Sequence, residues 1–331
     1  MDYDQIVVSG FSTNQTLRFS PINQFIAGWS NEHNDIASIT IDDQIQYQPF
    51  YGAGAALTYS AAYVIDQSPD RDQIIDYLFS KSGLGINVVR FTVGASDFVP
   101  AHIGHYTYND TVNNVPDLQL NGFSIEVDRL IIDIAKEAIQ INPDITFMAA
   151  PWSAPAWMKD NKSLYMGRLK SEYQSVYADY LVKYVQAMAA EGIPIKYLSV
   201  QNEPFYASNN YPGMLWDRLL TTSFVRDFLG PKLQAAGLET KIMIWDHNPV
   251  DNNGYFEQLP FQVLRNEGAK AFVGAIGVHC YSGTEAQMKQ YLTDLQAANP
   301  DVEVWMTECT AITTYTSIES KIGRASCRER V

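Results

Sequence analysis

The sequence predicts an α/β fold, and the architecture that it favours is a (β/α)8 TIM barrel. From about residue 49 onward, short apolar runs alternate with amphipathic helices, which is typical of parallel α/β folds. The apolar runs are hydrophobic on both faces, as buried parallel strands are. A doubly wound sheet is the alternative. It is disfavoured because no Gly-x-Gly-x-x-Gly motif follows the first strand, and the segment GAGAA at 52–56 lacks that spacing.

Seven strands and four helices can be placed in order along this part of the chain. The strands are expected at 49–56, 86–93, 145–150, 196–201, 241–246, 275–280 and 302–307. The helices are expected at 68–83, 126–141, 174–190 and 284–297. The first helix offers Ser68 as its N-cap and Pro69 at its first helical position. Because no eighth strand can be placed, we expect an incomplete barrel with about seven strands.

The two ends of the chain differ from this pattern. In residues 1–48, the segments TLRFS and IASITIDDQIQYQ alternate apolar and polar side chains, which predicts a β-rich N-terminal segment. The barrel domain is then expected at 49–312, followed by a non-barrel tail at 313–331. The last eleven residues, KIGRASCRERV at 321–331, carry four basic side chains in an otherwise acidic chain, and we interpret them as foreign sequence.

Composition and charge exclude several function classes. The 331 residues include 23 Lys and Arg against 37 Asp and Glu, and the net charge of −14 disfavours a nucleic-acid partner. No apolar run approaches the roughly 20 residues that cross a bilayer, so no integral membrane segment is expected. No signal peptide is visible at the N-terminus. The three cysteines are too few and odd in number to predict a disulfide framework, and no zinc motif or cofactor motif is present.

Two glutamates occupy the strand ends where a barrel carries its active site. Glu203 follows the fourth predicted strand and Glu308 follows the seventh, and these ends face each other across the barrel mouth. A carboxylic acid and a carboxylate in this relation perform glycosidic cleavage. Glu203 would be the acid/base and Glu308 the nucleophile of a retaining reaction. We expect repulsion between the two charges to keep Glu203 protonated while Glu308 stays ionised.

Other polar and aromatic side chains at the strand ends are candidates for substrate binding. Asn202 would bond the sugar 2-hydroxyl, and Trp152 is either a stacking platform or a core aromatic. His279 either positions the nucleophile or is a core histidine. The remaining strand-end candidates are Asp97, Asp246 and Tyr281. Cys309, next to the proposed nucleophile, is expected to be a small buried residue, and His102 with His105 lacks the further ligands of a metal site.

Several motifs together resemble glycoside hydrolase family 30, the group of the lysosomal acid β-glucosidases (glucosylceramidases) and their bacterial relatives. They are GAGAALTYSAA, GINVVRFTVGASDF, HYTYND, APWSAPAWMKDN, YLSVQNEP, GVHCYSG and VWMTECT, and the resemblance covers roughly residues 49–312. The resemblance implies a TIM barrel joined to a β-sandwich, to which 1–48 would contribute. It also implies a retaining mechanism with Glu203 and Glu308, and sugar contacts from Trp152, Asn202 and the His279–Tyr281 motif.

One departure from the family pattern concerns specificity. Glucosylceramidases carry Asp where this chain has Tyr59, and a phenol cannot replace a bidentate anionic acceptor. We expect a β-glycosidase acting on β-glucosides such as glucosylceramide. The alternatives are an endo-β-1,6-glucanase, a glycanase for xylosides, fucosides or galactans, or a catalytically silent glycan-binding fragment.

The expected partner is a carbohydrate or glycolipid, and the expected location is outside the cytoplasm. A barrel without its eighth strand is expected to be poorly soluble or inactive.

Overall fold

The computed structural model describes residues 6–12, 20–27, 44, 48–249 and 258–310. Residues 50–310 form one compact unit. The strands are β1 (Ile6–Ser12), β2 (Ser20–Ala27), β3 (Gly54–Ala56), β4 (Val88–Val93), β5 (Thr146–Pro151), β6 (Ile195–Ser199), β7 (Lys241–His247), β8 (Val273–His279) and β9 (Glu303–Glu308). The helices are α1 (Tyr59–Asp66), α2 (Arg71–Phe79), α3 (Arg129–Ile141), α4 (Gln174–Ala190), α5 (Arg218–Phe224), α6 (Gly230–Ala235), α7 (Gln258–Arg265), α8 (Glu267–Lys270) and α9 (Glu285–Ala298).

The seven strands β3 to β9 form one sheet in which spatial order follows sequence order. Every neighbouring pair is parallel, and helices connect the successive strands. This is the arrangement of a (β/α)8 barrel, of which seven strands lie in the described residues. The predicted fold class is therefore confirmed, and each of the seven predicted strands overlaps an observed one.

The strands β1 and β2 form a separate two-stranded antiparallel sheet with an irregularity between Val8 and Gly10. The segments predicted as strands around 16–20 and 36–48 lie almost entirely outside the described residues. The predicted tail at 313–331 also lies outside them.

The helices follow the predicted pattern with local differences. In α3 one face is buried, formed by Ile131, Ile132, Ile134, Ala135 and Ala138. The prediction for the start of α2 was wrong, because the N-cap is Asp70 and the Ser68 hydroxyl instead accepts a hydrogen bond from the Asp70 backbone. Helix α1 was not predicted. It begins after Thr58, whose hydroxyl accepts a bond from the Ala61 backbone amide.

Apolar side chains fill the inside of the sheet and polar ones gather at one end of it. A cluster of Met148, Tyr197, Met243 and Ala275 packs inside the sheet, with Trp305 against it. Towards the carboxyl ends of the strands the buried side chains become charged and polar, and this is where the site forms. In the part of the chain that the structure describes, no helix is both long and apolar enough to cross a membrane.

Candidate active site

The carboxyl ends of five strands bring charged side chains together. The participating residues are Arg90 on β4, Asn202 and Glu203 after β6, Asp246 and His247 on β7, His279 at the end of β8, and Glu308 at the end of β9. The sequence predicted most of these residues. The structure joins all of them except His247 in one hydrogen-bonded network, and His247 lies beside Glu203.

Arg90 is the centre of this network. Its side chain is only 5% exposed. Its guanidinium donates three hydrogen bonds: to Glu308 Oε2 at 2.8 Å, to Asn202 Oδ1 at 2.8 Å and to Asp246 Oδ2 at 3.1 Å. The guanidinium carbon also lies 4.9 Å from the centre of the Trp152 ring, which is itself buried. The planar, multidentate guanidinium thus fixes three site side chains relative to one another.

Asp246 is the buried anion that balances this cation. Burial alone would raise its pKa, but Arg90 and His279 outweigh burial and hold the pKa well below its usual range. The Thr307 hydroxyl donates a further bond to Asp246 Oδ1 at 2.6 Å. The Asp246 carboxylate has room here because residue 277 is glycine. A Cβ atom at that position would lie only 3.0 Å from Asp246 Oδ1.

The backbone around Asp246 and Glu203 is locally unusual. Asp246 has φ of 50° and Glu203 has φ of 47°, a left-handed region that non-glycine residues rarely adopt. The register of β7 against β8 shifts between Trp245 and His247, and the Glu203 amide donates to the Asp246 carbonyl at 3.0 Å. Such a bulge re-aims a side chain and is common beside active sites.

His279 links Asp246 to Glu203. Its Nε2 lies 3.2 Å from Asp246 Oδ1 and its Nδ1 lies 3.2 Å from Glu203 Oε1. Burial alone would lower the pKa of His279, but the two carboxylate partners raise it to about 9. The imidazole is therefore charged at neutral pH and donates to both carboxylates.

The expectation that Glu203 is protonated in the free protein was wrong. Burial raises the pKa of Glu203, but the hydrogen bond with His279 and the nearby His247 ring, 3.6 Å away, outweigh that effect and lower it to about 2. Repulsion by Glu308 is not what sets this pKa, because two histidines lie beside the Glu203 carboxylate. The proton expected on Glu203 resides instead on His279, one hydrogen bond away.

Glu308 accepts hydrogen bonds on both of its oxygens. Arg90 holds Oε2, and the Tyr281 hydroxyl donates to Oε1 at 2.8 Å. Burial and the Glu308 carboxylate raise the pKa of Tyr281 to about 12, so its hydroxyl keeps the proton that it donates. Partial burial raises the pKa of Asp97, and the charges of Glu308 and Glu203 raise it further.

A disulfide adjoins Glu308, which the cysteine count did not predict. Cys280 and Cys309 are bonded, with their Cα atoms 5.2 Å apart. The expectation that Cys309 is a small buried residue was also wrong, because it is exposed. Counting cysteines over the whole chain could not reveal that two of them follow adjacent parallel strands.

Tyr59 lies apart from the hydrogen bonds just described. It is the first residue of α1, and its ring packs edge-on against Tyr106 with 6.4 Å between ring centres. Burial, followed by the charge of Asp128, raises its pKa. Its role in sugar specificity stays a prediction.

One group of side chains in the described part of the chain is close enough to hold a metal ion. Ligand atoms of Glu203, His247 and His279 lie within 4.8 Å of one another. The His247 Nδ1 atom is buried, has no hydrogen-bond partner among the described residues, and lies 3.6 Å from Glu203 Oε1. A cation bound here would have to displace the proton that His279 shares with Glu203.

Three residues that contact the site were not predicted as site residues from the sequence. They are Arg90, His247 and Thr307. Arg90 carried a usable signal, because it is the one charged residue in the apolar run INVVRFTV. A buried strand tolerates such a charge only where a partner is provided.

Comparisons with known proteins agree with this geometry. The chain is 33% identical over 287 residues to an endo-1,6-β-D-glucanase of Neurospora crassa, covering 83% of this chain and 57% of that protein. It is 30% identical over 285 residues to putative glucosylceramidase 1 of Caenorhabditis elegans, covering 82% and 52%. A solved endo-β1,6-glucanase superposes with a TM-score of 0.75 at 34% identity, covering 83% of this chain and 61% of that one. The chain thus spans little more than half the length of these curated relatives. Residues 50–327 match the TIM-barrel domain of glycosyl hydrolase family 30, and the chain belongs to that family.

Proposed function

We propose that the protein is a retaining β-glycosidase in which Glu203 is the acid/base and Glu308 the nucleophile. The observation that carries this proposal is the single network around Arg90 and His279, which connects the two glutamates. A pair of carboxyl groups at one barrel mouth is the apparatus of glycosidic cleavage. In this pair, Glu308 has a donor on each oxygen, the charged Arg90 on one and the neutral Tyr281 hydroxyl on the other, and Glu203 has a proton source in His279.

The surroundings of Glu308 suit a nucleophile. A carboxylate that accepts from both Arg90 and Tyr281 is held in one orientation, and an ionised carboxylate is an acceptor only. In the first step Glu308 attacks the anomeric carbon, and the bond to the leaving oxygen breaks. A covalent glycosyl-enzyme results.

The surroundings of Glu203 suit an acid/base that is supplied with its proton. As the leaving oxygen gains negative charge, Glu203 takes the proton held by His279 and a proton passes from Glu203 to that oxygen. In the second step a water attacks the anomeric carbon, gives its proton to Glu203 and releases the sugar from Glu308. The proton that water gives to Glu203 then returns to His279 and restores the starting state. Asp246 keeps His279 oriented throughout, since it binds the opposite ring nitrogen.

Asn202 is proposed to contact the sugar 2-hydroxyl. Its Oδ1 accepts from Arg90, so its amide hydrogens are the part of the side chain that can meet substrate. Asp97 and Trp152 are proposed to line the same sugar subsite, Asp97 as a hydroxyl acceptor at the exposed rim and Trp152 through its ring beside Arg90.

The substrate class that we propose is a β-1,6-linked glucan. The support is that the Neurospora relative and the solved glucanase carry this activity in their names and are 33% and 34% identical to the chain. Glucosylceramide is the second candidate, supported by the Caenorhabditis relative at 30% identity. The same chemistry serves both, because only the group beyond the scissile oxygen differs.

A direct assay separates these substrates. The purified chain is incubated with β-1,6-glucan, β-1,3-glucan and detergent-dispersed glucosylceramide, and released sugar is measured, with Glu308→Ala as the inactive control. We expect release of short β-1,6-linked oligosaccharides that the control lacks, and this result would overturn the expectation that a barrel without its eighth strand is inactive. Release of glucose from glucosylceramide alone would favour the second candidate. Binding of glucan without turnover would instead indicate a silent glycan-binding protein and would contradict the proposed activity.

We also propose that the protein works outside the cytoplasm. The support is the bond between Cys280 and Cys309, because disulfides persist in oxidising compartments and are rare in the cytosol. Fractionation of the producing cells, with the thiol state of both cysteines measured in each fraction, tests this. We expect the oxidised form outside the cytoplasm.

A further inference from the structure

We propose that the Cys280–Cys309 disulfide positions the nucleophile Glu308, so that catalysis depends on the oxidised state of this pair. This inference rests on the proposed function, since it assigns a role relative to Glu308. Its basis is where the bond lies in the sheet and which contacts of Glu308 it encloses.

The disulfide joins β8 and β9 directly after the last residues that pair between the two strands. The last paired residues of β8 and β9 are His279 and Glu308, after a register shift between Val278 and His279. Cys280 and Cys309 are the next residue on each strand. The covalent bond therefore lies directly beyond the residue pair that includes the nucleophile.

The bond also closes a small ring of contacts around Glu308. Tyr281, next to Cys280, donates its hydroxyl to Glu308 Oε1 at 2.8 Å. Thr310, next to Cys309, donates its backbone amide to that same hydroxyl oxygen at 3.1 Å. Cys280 thus precedes the residue that carries this hydroxyl, and Cys309 precedes the residue whose amide binds it. Separation of the two strand ends would move this donor away from the nucleophile.

Among the described residues, the two strands that the disulfide joins differ in burial. All of β8 except Gly274 is buried, whereas every residue of β9 is at least partly exposed. The Glu308 side chain is 28% exposed, and Cys309 and Thr310 are exposed. The disulfide therefore ties the end of β9 to the buried strand β8. A displacement of about 1 Å in a reacting group can cost on the order of 100-fold in rate.

The Cys280→Ser/Cys309→Ser double variant tests the role, with Cys327→Ser as the control that removes a different cysteine. The substrate is 4-nitrophenyl β-gentiobioside, assayed well below the unfolding midpoint of each variant. We expect kcat of the double variant to fall by about 10- to 100-fold with little change in KM, because substrate contacts elsewhere remain. The control should keep both parameters.

Reduction of the unmodified protein gives a second measurement that does not require a folded variant. Dithiothreitol is oxidised to its cyclic disulfide as Cys280 and Cys309 become thiols, and removing it in air restores the bond. We expect kcat to fall on reduction and to recover on reoxidation, while the double variant does not respond. An unchanged kcat in both the reduced protein and the folded double variant would overturn the proposal. Absence of turnover by the oxidised, unmodified protein would instead count against the proposed function.

Discussion

Arg90 donates a hydrogen bond to Glu308 across 218 positions of sequence, with 2.8 Å between Nη1 and Oε2. The same guanidinium donates to Asp246, so one buried cation holds the proposed nucleophile and a buried anion. A lysine at this position would keep the charge but could not make these bonds in the same plane.

Two substitutions of Arg90 therefore separate the effect of its positive charge from the effect of its hydrogen-bond geometry. We expect Arg90→Lys to lower kcat/KM by roughly 100-fold while the protein stays folded. Arg90→Met leaves Asp246 without its cation, and we expect a loss of about 3–5 kcal/mol in the free energy of unfolding. Activity assays and denaturant unfolding measure the two effects. Arg129→Lys, at an exposed ion pair with Glu126, is the control and should change stability by about 1 kcal/mol or less. An Arg90→Lys protein with normal kcat/KM would contradict this account.

The two glutamates should respond differently to substitution. Glu308→Ala should abolish turnover of an aryl β-glycoside, and azide should restore it with an inverted glycosyl azide as product. Glu203→Ala should spare substrates with acidic phenol leaving groups and lose those with sugar leaving groups, since only the latter need a proton. Azide rescue and a leaving-group series measure this. The opposite pattern in the two variants would exchange their roles.

The pair of His279 and Glu203 predicts an alkaline limit of activity. The proton that Glu203 donates is stored on His279, whose pKa is raised to about 9, so the pair loses it as pH rises through 9. We expect kcat/KM to fall over that range. In His279→Gln the proton can be held only by Glu203, and the alkaline limb should move to lower pH, towards the range of an ordinary glutamate. A pH profile of both proteins checks the prediction, and an unmoved limb in the variant would rule out His279 as the proton store.

Tyr59 tests whether the departure from the glucosylceramidase pattern affects specificity. We expect Tyr59→Asp to increase kcat/KM for glucosides relative to xylosides and fucosides, because a carboxylate can accept from two sugar hydroxyls. Tyr59→Phe removes only the hydroxyl and separates that effect from the loss of the ring packed on Tyr106. Equal ratios in all three proteins would show that the position does not determine specificity.

Much of the architecture could be predicted from sequence because it depends on local patterns. The apolar runs that became β4, β5 and β8 are continuous and bounded by turns, so periodicity located them. The placement of Glu203 and Glu308 at one mouth followed from the rule that parallel strands end on the same side.

The electrostatics of the site could not be predicted in the same way. The protonation of Glu203 depends on His279, 76 positions away, and on a bulge in β7 that turns Asp246 towards it. The disulfide depends on the register of β8 against β9, which sequence spacing alone does not reveal. Each of these features arises from contacts between strands rather than within one.

The identity of the nucleophile is the central claim, and trapping the covalent intermediate tests it most directly. The protein is incubated with 2,4-dinitrophenyl 2-deoxy-2-fluoro-β-gentiobioside, digested, and analysed by tandem mass spectrometry. The fluorine slows both steps, while the good leaving group lets the first proceed, so the glycosyl-enzyme accumulates. We expect one added fluoroglycosyl group, located on Glu308, and none in Glu308→Gln. A label on Glu203, or rapid turnover of natural substrate with inverted product and no adduct, would contradict the account.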